Sequence, residues 1–172
     1  ESVKKDESRI PCHPKHFPYL KKSNNRLFFQ SEYGKRFEQT DTLMKKQGFE
    51  IAPREQLLQD SDVIFLLKPE VEDLSKMKEG AILIGWCHTI QRVDIATIAM
   101  KKGLTLIAME SMYQNVDNKR NHLFFENNFS AGFLGIEHAL LSTPYNYPKD
   151  AKVSVITYGA VSVFTQTPFL YR

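Results

Sequence analysis

The sequence has few cysteines, no long apolar run and no strong excess of one charge. Its 172 residues include two cysteines, Cys12 and Cys87, which lie far apart and outside any Cys-x-x-Cys spacing. Neither a zinc site nor a disulfide framework is therefore indicated, and we expect reduced thiols in a cytoplasmic protein. No apolar segment is long enough to cross a bilayer, and the charged start of the sequence is unlike a signal peptide. We expect no membrane partner.

The basic residues give no indication of a nucleic-acid-binding surface. The formal net charge is +3, and the lysine pairs are scattered along the chain, which is typical of solvated turns and helix faces. Hydrophobic residues make up 42% of the sequence and charged residues 25%. This balance is typical of a folded globular chain and argues against disorder.

Two short apolar segments are the most informative part of the sequence. Each of them ends near a residue with an ionisable side chain. Residues 63–67 precede Lys68, and residues 81–86 lead to His88. Continuous aliphatic runs of this length predict buried parallel strands. The carboxyl ends of parallel strands meet at one sheet edge, where open α/β folds bind ligands, so we expect Lys68 and His88 to face one cleft.

Lys68 and His88 can each be interpreted as a functional residue or as a structural one. A lysine at a strand end can bind an anion or polarise a carbonyl, and a histidine can move a proton near neutral pH. However, a strand-end lysine commonly extends to solvent, and an isolated histidine is more often a capped core residue. The residues alone leave both alternatives open.

The chain up to Met109 alternates between strand and helix patterns. This order predicts an α/β fold, with a parallel sheet from about Arg26 to Met109 and helices on both of its faces. The predicted strands are 26–30, 49–52, 63–67, 81–86 and 104–109. The predicted helices are 38–48 and 90–102, and segments 55–61 and 71–78 are each expected to be a short helix or a turn. A further helix, 129–142, has apolar residues spread around it and is expected to lie buried between layers or domains.

The end of the chain suggests part of a nucleotide-binding unit. Residues 143–150 contain two prolines and predict a linker. Beyond them a strand pattern runs into Gly159, as at the start of a dinucleotide-binding unit, but the further glycines of the fingerprint are missing. A second strand pattern begins at Val163, although parallel strands need a crossover of about a dozen or more residues. Either this tail is a hairpin or extended segment, or a helix between Ser162 and Val163 is missing, which we favour.

Five segments together resemble one enzyme family. They are residues 7–10 (Glu-Ser-Arg-Ile), 65–70 (Phe-Leu-Leu-Lys-Pro-Glu), 85–88 (Gly-Trp-Cys-His), 108–110 (Ala-Met-Glu) and 155–159 (Val-Ile-Thr-Tyr-Gly). Their order and spacing, over nearly the whole chain, resemble the alanine dehydrogenase and pyridine nucleotide transhydrogenase N-terminal family. Within it, the segment that begins at Gly85 is more similar to the opine-forming carboxyethylornithine synthase branch than to alanine dehydrogenases.

The resemblance implies a two-domain enzyme, in which a Rossmann domain that binds a nicotinamide cofactor interrupts a substrate domain. Residues 1–128 would form the substrate domain, 129–150 an inter-domain helix and linker, and 151–172 part of the cofactor domain. We expect the family's first strand to precede Glu1, and the return to the substrate domain to follow Arg172. A homo-oligomer is also expected.

The resemblance assigns roles to particular residues. Arg9 matches the arginine that grips the carboxylate of a 2-oxo acid, and a guanidinium suits that two-point contact. Lys68 matches the lysine that holds the carboxylate or carbonyl oxygen, and His88 matches the proton donor and acceptor. Glu110 is expected to contact a substrate ammonium group, with a helix cap or salt bridge as the alternative.

The resemblance also implies a cofactor, NADP or NAD, with contacts from Tyr158, Gly159 and Ser162. The implied reaction is the reductive condensation of pyruvate with the side-chain amine of a basic amino acid, ornithine or lysine. The alternatives are an alanine dehydrogenase, which uses ammonia, a non-catalytic domain that binds a keto acid, and a transhydrogenase subunit. The sequence around Gly85 does not favour the last of these.

The remaining histidines receive no catalytic role. His13 and His16 form a His-x-x-His spacing, but they lack cysteine or carboxylate partners at suitable distances. They predict a surface loop, and no metal site is expected. His122 falls in the predicted linker region and His138 on the predicted helix 129–142.

Overall fold

The computed structural model describes residues 2–5, 7–22, 25–142 and 154. The chain divides into two compact units, Glu1–Glu110 and Ser111–Arg172.

Strands and helices alternate along the first unit, as the sequence predicts. The strands are β1 (Phe28–Gln30), β2 (Glu50–Ala52), β3 (Val63–Phe65), β4 (Ile82–Gly85) and β5 (Thr105–Ala108). The helices are α1 (Phe17–Leu20), α2 (Asp41–Lys46), α3 (Arg54–Asp60), α4 (Val71–Lys76) and α5 (Val93–Lys101). The predicted α/β class is confirmed. Helix α1 was not predicted, and together with the short 3₁₀ helix Pro14–His16 it replaces the surface loop expected around His13 and His16.

All strand pairing in the described part of the first unit is parallel. β1 pairs with β2, and β3, β4 and β5 pair in that order. The predicted strands are therefore joined in two groups, each of which has a core of its own. The group β3–β4–β5 carries the segments of Lys68 and His88.

The core of the β3–β4–β5 group lies between the sheet and helices α3, α4 and α5. One register row, Ile64, Leu83 and Leu106, points into it. The fully buried residues around Leu83 include Leu74 and Ile95 from the helices. Each such side chain contributes about 1.5–3 kcal/mol by burial. This packing fixes the strands whose ends carry the candidate site.

The opposite face of the same sheet is exposed. Val63, Phe65 and Ile107 are each more than a third exposed, and Phe65 and Ile107 lie in one register row with Ile84. The sequence predicts helices on both faces, whereas the core formed with helices α3 to α5 lies on one. The continuous aliphatic runs did not distinguish the two faces, because both faces carry apolar residues.

The second core is mainly aromatic. Phe17 of α1, Phe29 of β1 and Phe49 lie with their ring centroids 4.8–5.1 Å apart in edge-on or tilted contacts. The Tyr33 hydroxyl donates to the carbonyl of Cys12 at 2.9 Å and accepts from its N–H at 2.8 Å. This contact holds the N-terminal segment against the β1–β2 group.

The second unit begins with a hairpin that the sequence analysis did not predict. β6 (Tyr113–Val116) and β7 (Lys119–His122) are antiparallel, and the turn residues Asp117 and Asn118 have positive φ angles of 50° and 60°. Two adjacent left-handed residues are typical of a type I′ turn, which matches the twist of a hairpin. His122, predicted in a linker region, is the last residue of β7.

Helix α6 (Phe125–Leu141) follows the hairpin and begins four residues before the predicted 129. It was expected to be buried, but its side chains at Phe125, Phe129, Leu134 and Leu141 are exposed. Among the helices in the described part of the chain, none combines the length and apolar character that crossing a bilayer requires. The predicted linker 143–150, the Ser162–Val163 junction and the predicted cofactor contacts Tyr158 and Gly159 lie outside the described residues.

Candidate functional site

The segments that carry Lys68 and His88 leave the same edge of the β3–β4–β5 sheet. β3 and β4 are parallel neighbours, and their last paired residues are Phe65 and Ile84. Hydrogen bonds continue beyond this pair: the Leu66 N–H donates to the Ile84 carbonyl at 3.0 Å, and the Trp86 N–H donates to the Leu67 carbonyl at 2.7 Å. The two segments are therefore joined backbone to backbone just before Lys68 and His88.

Gly85 permits this close approach. A β-carbon at Gly85 would lie 2.0 Å from the Leu66 carbonyl oxygen, far inside van der Waals contact. The glycine is required here by backbone proximity and not by a positive φ angle, since its φ lies outside the left-handed region. It thus allows the two site segments to run side by side.

The His88 backbone is fixed in the left-handed conformation. Its φ angle is 47°, which is uncommon for a residue other than glycine. The His88 N–H donates to Glu110 Oε1 at 2.6 Å, and its carbonyl accepts from the N–H groups of Gln91 and Arg92 at 2.9 and 2.7 Å. His88 itself is exposed. A rigid backbone therefore presents an accessible imidazole, and Glu110 contributes by holding that backbone.

Glu7 brings Arg9 and Lys68 together. Arg9 Nε and Nη2 donate to Glu7 Oε1 and Oε2 at 2.7 and 2.6 Å, and Lys68 Nζ lies 3.1 Å from the same Oε2. The Glu7 side chain is only 5% exposed. Two cationic groups, far apart in sequence, therefore share one buried carboxylate and lie within a few ångströms of each other.

The contact between Glu7 and Arg9 stabilises the ionised form of both side chains. Hydrogen bonding to Arg9 holds the pKa of Glu7 at about 2, below its usual 4.5, against the opposing effect of burial. The same hydrogen bonding raises the pKa of the Arg9 guanidinium. The guanidinium carbon also lies 4.6 Å from the ring centroid of Trp86, a distance typical of a cation–π contact. With one carboxylate and two cations, the cluster has a formal charge of +1.

The N-terminal segment is anchored beside Lys68 by two further hydrogen bonds. Ser2 Oγ donates to the Lys68 carbonyl at 2.7 Å, and Arg36 Nη1 donates to the Ser8 carbonyl at 2.9 Å. Ser8 stands between Glu7 and Arg9, so these bonds fix the backbone that carries both side chains.

A second polar network connects the segments that follow the strands. Arg54 pairs with Asp73 at 2.7 Å and donates to Gln30 at 3.1 Å. Asp73 Oδ2 accepts from the N–H of Glu70, and Glu70 pairs with Arg92 at 3.1 Å. Glu70 lies two residues after Lys68 and Arg92 four after His88, so this ion pair also links the two site segments.

Cys87 is buried beside His88 and has no features of a nucleophile. It is 2% exposed, and its Sγ lies 3.5 Å from the Gly85 carbonyl oxygen. Burial, together with the charge of Glu110, raises its pKa to about 12. The thiol is therefore protonated near neutral pH, and its ionised form is not available for attack.

The other histidines have structural contacts. His13 Nδ1 accepts from the Lys15 N–H at 3.2 Å, and its ring packs edge-on against Phe37. His122 Nδ1 accepts from the Phe124 N–H at 3.0 Å. Within the described ranges, no group of three or more His, Cys, Asp or Glu side chains could hold a metal ion.

The structure brings Arg9 and Lys68 into one cluster and places His88 on the neighbouring segment, with Glu110 bound to its backbone. Ser162, like the other predicted cofactor contacts, lies outside the described residues. Sequence reasoning did not identify Glu7 as part of the site, although it stands two residues before Arg9 in the same segment. It also missed Trp86.

Comparisons with known proteins show the family to which this chain belongs. The family described as "Alanine dehydrogenase/PNT, N-terminal domain" matches residues 1–128. Two relatives are named "N(5)-(carboxyethyl)ornithine synthase". The chain is 26% identical over 167 residues to the one from Lactococcus lactis subsp. lactis (strain IL1403), with 91% of this chain and 53% of the relative covered. It is 24% identical over 169 residues to the one from Clostridium botulinum (strain Hall / ATCC 3502 / NCTC 13319 / Type A), with coverages of 91% and 52%.

Two solved structures share the fold. The transhydrogenase from Sinorhizobium meliloti superposes with a TM-score of 0.68 at 17% identity, covering 86% of this chain and 45% of that one. A structure titled L-alanine dehydrogenase gives a TM-score of 0.68 at 19% identity, with coverages of 82% and 39%. The chain spans about half the length of the curated relatives it matches. The resemblance predicted from the sequence is confirmed: over residues 1–128, this chain belongs to the alanine dehydrogenase/PNT family.

Proposed function

We propose that the protein containing this chain condenses pyruvate with the side-chain amine of ornithine or lysine and reduces the product to a carboxyethyl amino acid. One observation carries the proposal: Arg9 and Lys68 converge on a single carboxylate oxygen, at 2.6 and 3.1 Å, beside the segment of His88. A pair of cations in this arrangement suits the carboxylate of a 2-oxo acid. The relatives named carboxyethylornithine synthase support the choice of amine.

Arg9 and Lys68 would bind and polarise the keto acid. The guanidinium is partly exposed, with 43% of its side chain accessible, and Lys68 is 29% exposed. Both groups can therefore reach a ligand from solvent. The Lys68 ammonium can donate to the pyruvate oxygen as negative charge develops there during attack by the amine.

His88 would move the proton. Addition of the amine gives a carbinolamine, and this must lose its hydroxyl as water before an imine exists. His88 can accept a proton from the incoming ammonium group before attack and then donate a proton to that hydroxyl, which leaves as water and gives a protonated imine. The exposed position and fixed backbone of His88 support this role. A nicotinamide cofactor, NADPH or NADH, would supply the hydride that reduces the imine.

The same groups would serve an alanine dehydrogenase, in which ammonia replaces the amino-acid amine. The structural similarity to a protein titled L-alanine dehydrogenase supports this second candidate. The proposed arrangement of the full protein keeps residues 1–128 as the substrate domain, 129–150 as helix and linker, and 151–172 in the cofactor domain. We also propose a cytoplasmic homo-oligomer.

Two substitutions in the full-length protein test the proposal. Lys68→Ala and His88→Asn should each lower NAD(P)H oxidation with pyruvate and ornithine by about a hundredfold or more, since each removes a group used at the reacting centre. Lys68→Ala should chiefly raise the KM for pyruvate, whereas His88→Asn should chiefly lower kcat. Asparagine is chosen because it tolerates the left-handed backbone at His88.

Matched controls are available in the same unit. Lys76→Ala removes an exposed lysine whose partner is Glu55, and His16→Asn removes an exposed histidine. Both should retain activity. Faster turnover with ammonia than with ornithine would identify an alanine dehydrogenase. Binding of pyruvate without any turnover would favour a keto-acid-binding domain, and full activity of both site variants would defeat the proposal.

A further inference from the structure

We propose that Glu7 is a positioning residue that assembles the keto-acid carboxylate site without contacting the substrate. This inference rests on the proposed function, since it takes Arg9 and Lys68 as the groups that hold pyruvate. Its subject is the buried carboxylate between them, to which the sequence analysis gave no role.

The exposure of the three side chains places Glu7 beneath the two cations. The Glu7 side chain is 5% exposed, that of Lys68 29% and that of Arg9 43%. A ligand that arrives from solvent therefore meets the cations first. Glu7 reaches both of them from the buried side, so it can orient them while they keep accessible surface for the ligand.

Glu7 is itself held in a fixed position. Its Oε1 accepts from the backbone N–H of Arg9 at 3.1 Å in addition to the side chain, and its own N–H donates to the Lys4 carbonyl at 3.1 Å. Glu7 is therefore held at both its backbone and its side chain. Its carboxylate can orient Arg9, because the two parallel hydrogen bonds between a carboxylate and a guanidinium fix the direction of the guanidinium plane.

Electrostatics gives Glu7 a second effect on the same site. Two cations a few ångströms apart repel each other, and a buried carboxylate between them offsets that repulsion. The formal charge of +1 that remains is equal and opposite to one substrate carboxylate. Without Glu7, Arg9 and Lys68 would move apart, and ligand binding would have to bring them together again.

The experiment compares three variants of the full-length protein by steady-state kinetics. Glu7→Gln keeps the size of the side chain but removes its charge, and it should raise the KM for pyruvate by about 10- to 100-fold, as expected for loss of charged hydrogen bonds. The KM for ornithine and the kcat at saturating pyruvate should change by less than about threefold. Glu7→Asp retains the charge and should recover part of the loss. Glu55→Gln, at an exposed carboxylate paired with Lys76, is the matched control and should behave as the parent.

A double variant separates positioning from general damage to the fold. If Glu7 acts through Lys68, the effects of Glu7→Gln and Lys68→Ala on the pyruvate KM should be clearly less than multiplicative in the double variant. Multiplicative effects would show that Glu7 acts independently and would overturn the inference. If Glu7→Gln does not fold, the same cycle with Glu7→Asp decides.

Two further results overturn the inference and leave the proposed function intact. A pyruvate KM that falls in Glu7→Gln would mean that Glu7 competes with substrate for the cations. An unchanged KM in Glu7→Gln, with a raised KM in Lys68→Ala, would mean that the cations need no positioning. If Lys68→Ala itself leaves the pyruvate KM unchanged, the proposed function fails, and this inference fails with it.

Discussion

Gly85→Ala should destabilise the first unit strongly, although it adds a single methyl group. The added carbon would lie 2.0 Å from the Leu66 carbonyl oxygen, so the two backbones must separate. Overpacking of this kind costs about 1–3 kcal/mol. Separation also weakens the hydrogen bonds from Leu66 to Ile84 and from Trp86 to Leu67, at about 1 kcal/mol each. We expect a total loss of about 3–5 kcal/mol in the free energy of unfolding.

Urea denaturation followed by circular dichroism measures this loss. With m values of about 1–3 kcal/mol/M, a loss of about 3 kcal/mol lowers the midpoint by about 1–3 M. Gly135→Ala in helix α6 is the control, because nothing lies within 4 Å of an added β-carbon there, and it should be neutral or stabilising by up to about 1 kcal/mol. An unchanged midpoint in Gly85→Ala would show that the Leu66 carbonyl moves aside without cost and would refute the close-approach argument.

Two further predictions concern ion pairs. The pKa of Glu7 falls from 4.5 to about 2 in the folded state. Its ionised form therefore stabilises the fold above about pH 4.5, and this contribution is lost as the pH falls toward 2. Glu7→Gln should flatten the acid dependence of the urea midpoint, and an unchanged slope would contradict this. Asp73→Ala should cost about 3–5 kcal/mol, because it removes the carboxylate that neutralises the largely buried Arg54 and that accepts from the Glu70 N–H. Asp62→Ala, at the exposed pair with Lys78, should cost less than about 1 kcal/mol in the same assay.

The parallel strands could be predicted because their signal is local. Residues 63–67 and 81–86 are aliphatic runs of strand length, and parallel pairing follows from the helices between them. The placement of Lys68 and His88 after neighbouring strands required no further information. The exposed side chains of Val63 and Phe65 show the limit of this reasoning, since a continuous apolar run does not say which face of a sheet a helix covers.

The contacts that complete the site depend on distant parts of the chain. Ser2 and Arg36 help to hold the N-terminal segment where Glu7 meets Lys68, and such side-chain contacts leave no periodic pattern in the sequence. The left-handed backbone of His88 is likewise set by its bond to Glu110. The turn of the hairpin at Asp117 and Asn118 could have been predicted, since this residue pair favours a type I′ turn. The strands on either side of it could not, because they are polar and lack apolar alternation.

The burial of Cys87 gives a direct means of observing motion at the edge of the sheet that carries Lys68 and His88. A thiol that is enclosed and protonated reacts with alkylating reagents only when the chain around it opens. Its neighbours in sequence are Trp86 and His88, so the labelling rate of Cys87 reports how often this segment leaves the sheet. Cys12, which is only partly buried, provides an internal reference in the same molecule. Substrate or cofactor that orders the site would slow the reaction of one thiol and leave the other unchanged.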